Sequence, residues 1–310
     1  MSAKKLTEGA VLLAIYAILL LIFLYLPVIG TLFSLALPLP FIYYVGKYNW
    51  KDGSIFFIAS LVIGFIVGNI PSLFVTLLYG ITGSVLGVCL YYAKDRRLTF
   101  LFGTLAYILV TLLLLALSLI LFDINFINEI ATTLREMARE SLAIFEALGQ
   151  EIPPEAQDML FQMISIGLAL IPTILVLISA IQVWLAMMIS VPVMKRLGIS
   201  VPAGQPFREL SFPRSLIWYF LIVSILSFIV PLQQGDFLST VILNFLSLFQ
   251  IIFSIQGISF MFFFAHRKNL SNTIPIVVTV ITVLNPLLLQ IVQLLGIIDL
   301  GFDLRKRLET

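Results

Sequence analysis

From Leu6 to Ile298 the chain alternates long apolar runs with short clusters of charge, proline or glycine. A helix needs roughly 20 residues to cross a hydrocarbon core ~30 Å thick, and most of these runs reach that length. Five candidate helices fill the first part: Glu8 to Leu26, Gly30 to Gly46, Ser54 to Ile70, Ser72 to Ala93 and Leu98 to Phe122. Four more follow: Met159 to Met194, Arg214 to Val230, Phe237 to Ala265 and Thr273 to Ile298. The runs lack the alternating pattern of about 10-residue barrel strands. The pattern predicts an all-α, polytopic transmembrane bundle of eight or nine spans, nine being slightly favoured.

Proline and charge refine this picture. Leu37-Pro38-Leu39-Pro40 interrupts the second run, and proline both removes a backbone donor and clashes with the preceding turn, so that helix is predicted to be broken and shielded by neighbours. Lys and Arg are retained on the cytoplasmic side of short loops. Lys4 and Lys5, Lys47 and Lys51, Lys94 to Arg97, Lys195 to Arg214, and Arg267 with Lys268 all fall on one side when helices are counted in order. The opposite turns, Pro27 to Gly30, Gly68 to Pro71 and Gln233 to Asp236, hold no Lys or Arg. The expected orientation has a cytoplasmic N-terminus. One conflict remains: if Thr273 to Ile298 crosses once, Arg305, Lys306 and Arg307 emerge on the wrong side. Asn285-Pro286 in its middle offers a re-entrant alternative.

Composition fixes the class. Of 310 residues, 61% are hydrophobic and 11% charged, and the mean hydropathy is +1.12, far from a water-soluble domain. Ser34-Leu35-Ala36 would suit signal cleavage, but Leu6 to Leu26 outruns an ordinary signal core and further spans follow at once, so a signal anchor is expected. The acids are concentrated. Eight of the 16 lie between Asp123 and Asp158, where Ile127, Ile130, Leu134, Met137, Ser141, Ile144 and Leu148 recur at helical spacing until Gly149 and Pro153-Pro154. This predicts an amphipathic extracytoplasmic insertion, either a linker helix resting on the bundle or a lid. The chain reads as one integral membrane domain in three stretches: helices 1 to 5 (1–122), the acidic insertion (123–158) and additional helices (159–310).

The chemistry-bearing residues are few. Cys89 is the single cysteine and His266 the single histidine, which excludes a thiolate metal cluster and leaves the histidine at a helix end, complementing the dipole. No HExxH, GxSxG or nucleotide-binding loop occurs, so no enzyme, metal or cofactor is expected, and a net charge of +2 gives no case for nucleic acid. The predicted spans contain no interior Asp, Glu, Lys or Arg, which disfavours a carboxylate-based proton-coupled mechanism. They do hold Asn69, Gln162, Gln182, Asn244, Gln250, Gln256, Asn285, Gln290 and Gln293. Each serves as interhelical glue or, for Asn69, Gln162, Asn244, Gln290 and Gln293 in the outer half, as lining for a small ligand. Small residues four apart let helix backbones approach closely: Gly64 and Gly68, Gly83 and Gly87, and Ala10 and Ala14 with Ala17 on the same face.

The order of these features carries a resemblance. "LTEGAVLLAIYA" after a basic start, the short "PVIG" turn, the proline-broken "ALPLPFIYYVGKYNWKDG" and the Gly-rich helices 3 and 4 resemble the substrate-binding S components of energy-coupling factor transporters over roughly the first 120 residues. The whole chain is similar to the YybS-like family of bacterial membrane proteins. The resemblance implies a multi-pass protein of the bacterial cell membrane that captures a small molecule from outside and works with a separate T component and ATPase subunits. It implies that Ala10 and Ala14 dock on the T component. The chain departs from the six-helix S-component pattern in its extra spans and acidic insertion. The alternative reading is a non-transporting membrane scaffold or regulatory protein.

Overall fold

A computed structural model describes residues 3–150, 152–230 and 236–309; Glu151 of the acidic segment and Gln233–Gly235 of the third outer turn lie outside them. The described residues form helices joined by short turns, with no strand among them. They divide into two compact units. The first comprises Met1–Ile130 and Leu175–Gly204, the second Ala131–Ile174 and Gln205–Thr310. This partition cuts across the three stretches read from the sequence, because most of one late helix belongs with the first five runs.

In the first unit α1 (Ala3–Tyr25) is followed by α2 (Pro27–Phe33) and α3 (Leu39–Tyr48). The predicted proline break falls between these two, where Ser34–Ala36 makes a single 3-10 turn. The break is shielded as its exposed backbone requires. Leu37, Phe41 and Ile42 are fully buried, and Gly83 lies so close to the Pro38 carbonyl that any side chain there would collide with it. Phe41 is the hub, edge-on to Tyr16 at 5.1 Å and to Phe56 at 5.3 Å between ring centroids.

The 42-residue α4 (Trp50–Tyr91) is two helices joined at Gly68 and Asn69, whose φ of +57° is a value that asparagine tolerates better than most residues. The chain reverses there. Ser72 Oγ donates to the Gly64 carbonyl eight residues earlier, and Gly64 abuts the Thr76 hydroxyl, contacts that a continuous helix rising 1.5 Å per residue would forbid. Pro71 sits in the first turn of the second arm, where a missing N–H costs little. The predicted third and fourth spans are therefore both present, as the arms of one hairpin. With α5 (Arg96–Phe122) and α8 (Ile171–Arg196), the unit has six apolar segments of crossing length.

Between these helices α6 (Phe126–Ala147) covers most of the acidic segment, and its apolar stripe is open: Ile127, Ile130, Leu134, Met137 and Ile144 are 41–61% exposed. The predicted Met159 to Met194 run is interrupted at Leu170, separating α7 (Pro154–Ala169) from α8. The second unit continues with α9 (Ser215–Ile229), α10 (Phe237–Arg267), α11 (Thr273–Leu284), α12 (Pro286–Phe302) and the short α13 (Leu304–Glu309). At 15 residues, α9 spans about 22 Å, less than a full hydrocarbon core. Its core is aromatic, with Phe249 and Phe253 of α10 and Leu300 of α12 packed against Phe220 of α9. Here α10 and α12 touch backbone to backbone: a Cβ on Gly296 would overlap the Phe253 carbonyl oxygen, and one on Gly257 would overlap that of Val292.

The last apolar run does not cross once. α11 and α12 bend by 120° at Asn285, whose side chain caps the new helix by accepting from the Leu287 and Leu288 amides at 3.0 and 3.4 Å. α12 returns toward the end where α11 began. Arg267 Nε reaches the Leu308 carbonyl at 3.2 Å, so Arg305–Arg307 share an end with Arg267. The re-entrant alternative removes the charge conflict that a ninth span would create, leaving eight crossings if the short α9 is counted. The helical membrane bundle stands.

Candidate functional site

In the first unit, charged side chains gather at one end. Lys47 Nζ donates to Glu8 Oε2 at 2.7 Å and to the Tyr43 hydroxyl at 2.9 Å, the Tyr48 hydroxyl donates to the same Glu8 oxygen at 2.5 Å, and Lys5 pairs with Asp52 at 2.5 Å. These pairs tie the start of α1 to the end of α3 and the start of α4. The small residues of this unit divide by what they meet. Gly68 abuts Leu24 and Ser72, Gly83 the Pro38 backbone, and Gly87 the Ile42 carbonyl and Val45. On α1, Gly9 packs against the Tyr44 ring and is buried. Ala10 and Ala14 face outward and are exposed, beside Val11, Ile15 and Ile18, while Ala17 is half-buried.

The five polar residues expected to line a ligand are not assembled. Asn69 is the turn residue of the α4 hairpin and is exposed; Gln162 on α7 and Gln290 on α12 are exposed, and Gln293 is half-buried. Asn244 of α10 is buried but fully engaged in repairing the α7–α8 break. Its Nδ2 donates to the Ala169 carbonyl at 2.7 Å and to that of Thr240 at 2.8 Å, while its Oδ1 accepts from the Thr173 amide at 2.9 Å and the Thr173 hydroxyl at 2.7 Å. A helix interrupted in an apolar environment frees backbone groups that must be paired. Asparagine offers a matching donor and acceptor. None of three cavities, of about 760, 420 and 310 Å³, is lined by any of the five.

A different constellation is buried. Asp299 of α12 lies one residue beyond the run read from the sequence and is nonetheless buried, its side chain 2% exposed. Its Oδ2 accepts from Gln256 Nε2 at 2.5 Å and from Arg305 Nε at 3.0 Å. Gln256 is itself fully buried and accepts at Oε1 from the Phe212 amide at 3.1 Å. Arg305 donates further to the Arg208 carbonyl at 2.9 Å and the Ser259 hydroxyl at 3.1 Å. Ser259 in turn donates to the Phe207 and Leu210 carbonyls, both at 2.8 Å. The network fastens the 207–212 segment and the chain after α12 to α10. Asp299 Oδ1 alone has no hydrogen-bond partner.

This network walls the cavity of about 310 Å³, completed by Ser211, Arg214, Asp303 and Lys306. Arg214 pairs with Asp303, and Lys306 approaches the same carboxylate at 3.6 Å. The other two cavities have almost wholly apolar walls, formed by α4 with α5 and by α1 with α8 and their neighbours. The sequence held a signal for the polar one: Asp299 precedes the basic Arg305-Lys306-Arg307 by one to two helical turns, close enough to pair when the chain turns at Asp303, whose φ is +49°. Among the described residues no group of three or more His, Cys, Asp or Glu is placed to hold a metal ion.

Residues 14–300 match a family described as predicted membrane protein (DUF2232). Along 99% of both chains, 311 aligned residues, the protein is 31% identical to the uncharacterized protein YybS of Bacillus subtilis (strain 168). No solved structure matches the chain.

Proposed function

The chain belongs to the DUF2232 family of predicted membrane proteins, and on that premise we propose that it is the small-molecule-binding component of a transport assembly in the bacterial cell membrane. It has no enzymatic activity of its own and is energised by separate subunits, a T component with ATPases. The observation that carries the reading is the polar cavity of about 310 Å³ around Asp299. A buried ionisable residue in an apolar helical bundle is costly and marks a ligand or ion site by default. That volume is at the lower end for a small-molecule pocket. The six-helix first unit supports the partnership, since its α1 leaves Ala10 and Ala14 exposed for a docking helix. In this arrangement the ends bearing Lys5, Lys47 and Arg305 face the cytoplasm, in keeping with retention of positive charge there.

The test is purification in mild detergent followed by mass spectrometry of bound small molecules and of co-purifying proteins. The reading requires a small molecule that is lost from an Asp299→Asn variant, and an ATPase-containing partner. A second reading, a non-transporting scaffold or regulator, is favoured by the dispersal of Asn69, Gln162 and Gln290 over exposed surface rather than around a cavity. Partners without ATPases and no bound molecule would establish it instead.

A further inference from the structure

We infer that the cleft of about 760 Å³ in the first unit holds an acyl chain of an anionic phospholipid, whose headgroup lies against Lys94. The inference is independent of what occupies the Asp299 cavity. The cleft lies where the arms of α4 meet α5, and small residues, Ser54, Ser84 and Ala106, leave room in its lining. Its opening is lateral. Ile58, Leu105 and Leu109 of the lining are 61%, 46% and 65% exposed, so on these apolar membrane helices the cleft is entered from the lipid side.

Depth and charge choose the occupant. Tyr92 at the end of α4 and Ile81 within its second arm both line the cleft, which gives it an extent of about 16 Å at a rise of 1.5 Å per residue. Half of a hydrocarbon core ~30 Å thick is about 15 Å, the depth of one leaflet. Trp50 and Tyr92 stand at the mouth, and these are the side chains that settle at headgroup level. Lys94 is the one charged residue among the described lining. Its backbone amide donates to the Cys89 carbonyl at 2.9 Å, which holds it at the end of the helix. No ion pair engages it among the described residues. Lys51 Nζ lies 6.0 Å from the centroid of the Trp50 ring and adds a second positive charge beside the mouth. Of the neighbouring carboxylates, Asp52 is taken by Lys5, and Asp95 is not part of the lining. An apolar cleft one leaflet deep, with unneutralised lysine at its mouth, matches an acyl chain joined to an anionic headgroup, and basic pockets between membrane helices hold such headgroups.

The test follows Trp50 fluorescence in the full chain with Trp184→Phe and Trp218→Phe, which leaves Trp50 as the only tryptophan. The protein is placed in phosphatidylcholine vesicles containing a small fraction of chain-brominated phosphatidylglycerol or, separately, chain-brominated phosphatidylcholine, since bromine quenches tryptophan on contact. Phosphatidylglycerol is expected to be preferred about fivefold, the effect of one lysine near the surface. Lys94→Gln, at an exposed position, should bring the ratio close to one. Ala106→Phe, which fills the cleft without changing its charge, should do the same; Ser54→Phe, at an exposed position of the same lining, serves if Ala106→Phe fails to fold. A wild-type ratio near one, or a preference that survives Lys94→Gln, overturns the inference. Loss in Lys94→Gln with full retention in the cleft-filling variant also overturns it, because the lipid is then drawn to the surface charge alone. So does a non-lipid molecule or a protein partner that co-purifies with the wild type and is lost from the cleft-filling variant.

Discussion

Arg267 donates from Nε to the backbone carbonyl of Leu308 at 3.2 Å, joining the end of α10 to the last turn of the described chain. Once α11 and α12 form a re-entrant pair, eight crossings, counting α1 and the short α9, separate the N-terminus from α13. In a variant with Cys89 replaced by serine, cysteines introduced at Lys94 and at Lys306 should be labelled from the same side of the membrane, and one at Glu140 from the other. Labelling of Lys306→Cys together with Glu140→Cys would mean that α11 and α12 cross as one span.

The Asp299–Arg305 pair is held at 3.0 Å with side chains 2% and 15% exposed. Removing either partner strands the other charge. Asp299→Asn and Arg305→Met should each cost on the order of 3 kcal/mol, whereas the double substitution should cost much less than their sum. Thermal unfolding in detergent of the four proteins of this cycle measures the coupling. Additive losses would show that the pair carries no mutual stabilisation.

Glycines in this chain predict opposite outcomes for the same substitution. Gly296→Ala places a methyl group into the Phe253 carbonyl oxygen, a backbone atom that cannot rotate away; a loss of about 2–3 kcal/mol is expected. Gly167→Ala meets no atom within 4 Å on α7 and should be neutral or stabilising by up to about 1 kcal/mol, since alanine restricts the unfolded chain. The melting temperature should fall for Gly296→Ala and should not fall for Gly167→Ala.

Ala10 and Ala14 lie exposed on α1. If a partner helix docks there, Ala10→Leu with Ala14→Leu should leave insertion and melting temperature unchanged and abolish co-purification of the partner, because bulky side chains hold the backbones apart. Unaltered recovery of the partner from the double variant would place the docking surface elsewhere.

The sequence was most informative where one residue type has one physical consequence. Proline at Pro38 and Pro40 had to break a helix, and the break is there. Lysine and arginine marked the chain ends of the spans, and Arg305–Arg307 even exposed the fault in a nine-span count. Asparagine was less legible. Asn69 and Asn244 are polar residues in apolar runs, which suits a ligand site equally well, yet both stand in for the backbone: one shapes a turn, the other pairs the groups freed at Leu170. Gly257 and Gly296 were invisible because their match lies across two helices rather than along one. Asp299 escaped because a run ends, on paper, at its first charge. Burial depended on where Arg305 folds back, and a linear pattern does not encode that return.

The hairpin in α4 bears on how the molecule is made. Its arms meet through Ser72 and Gly64, eight residues apart, and through Gly64 and Thr76, so the loop that must close is very short and little chain entropy opposes closure. Such local contacts form early and fast. Residues 50–91 can therefore pair as soon as both arms have left the ribosome, giving later helices a finished surface to join during synthesis.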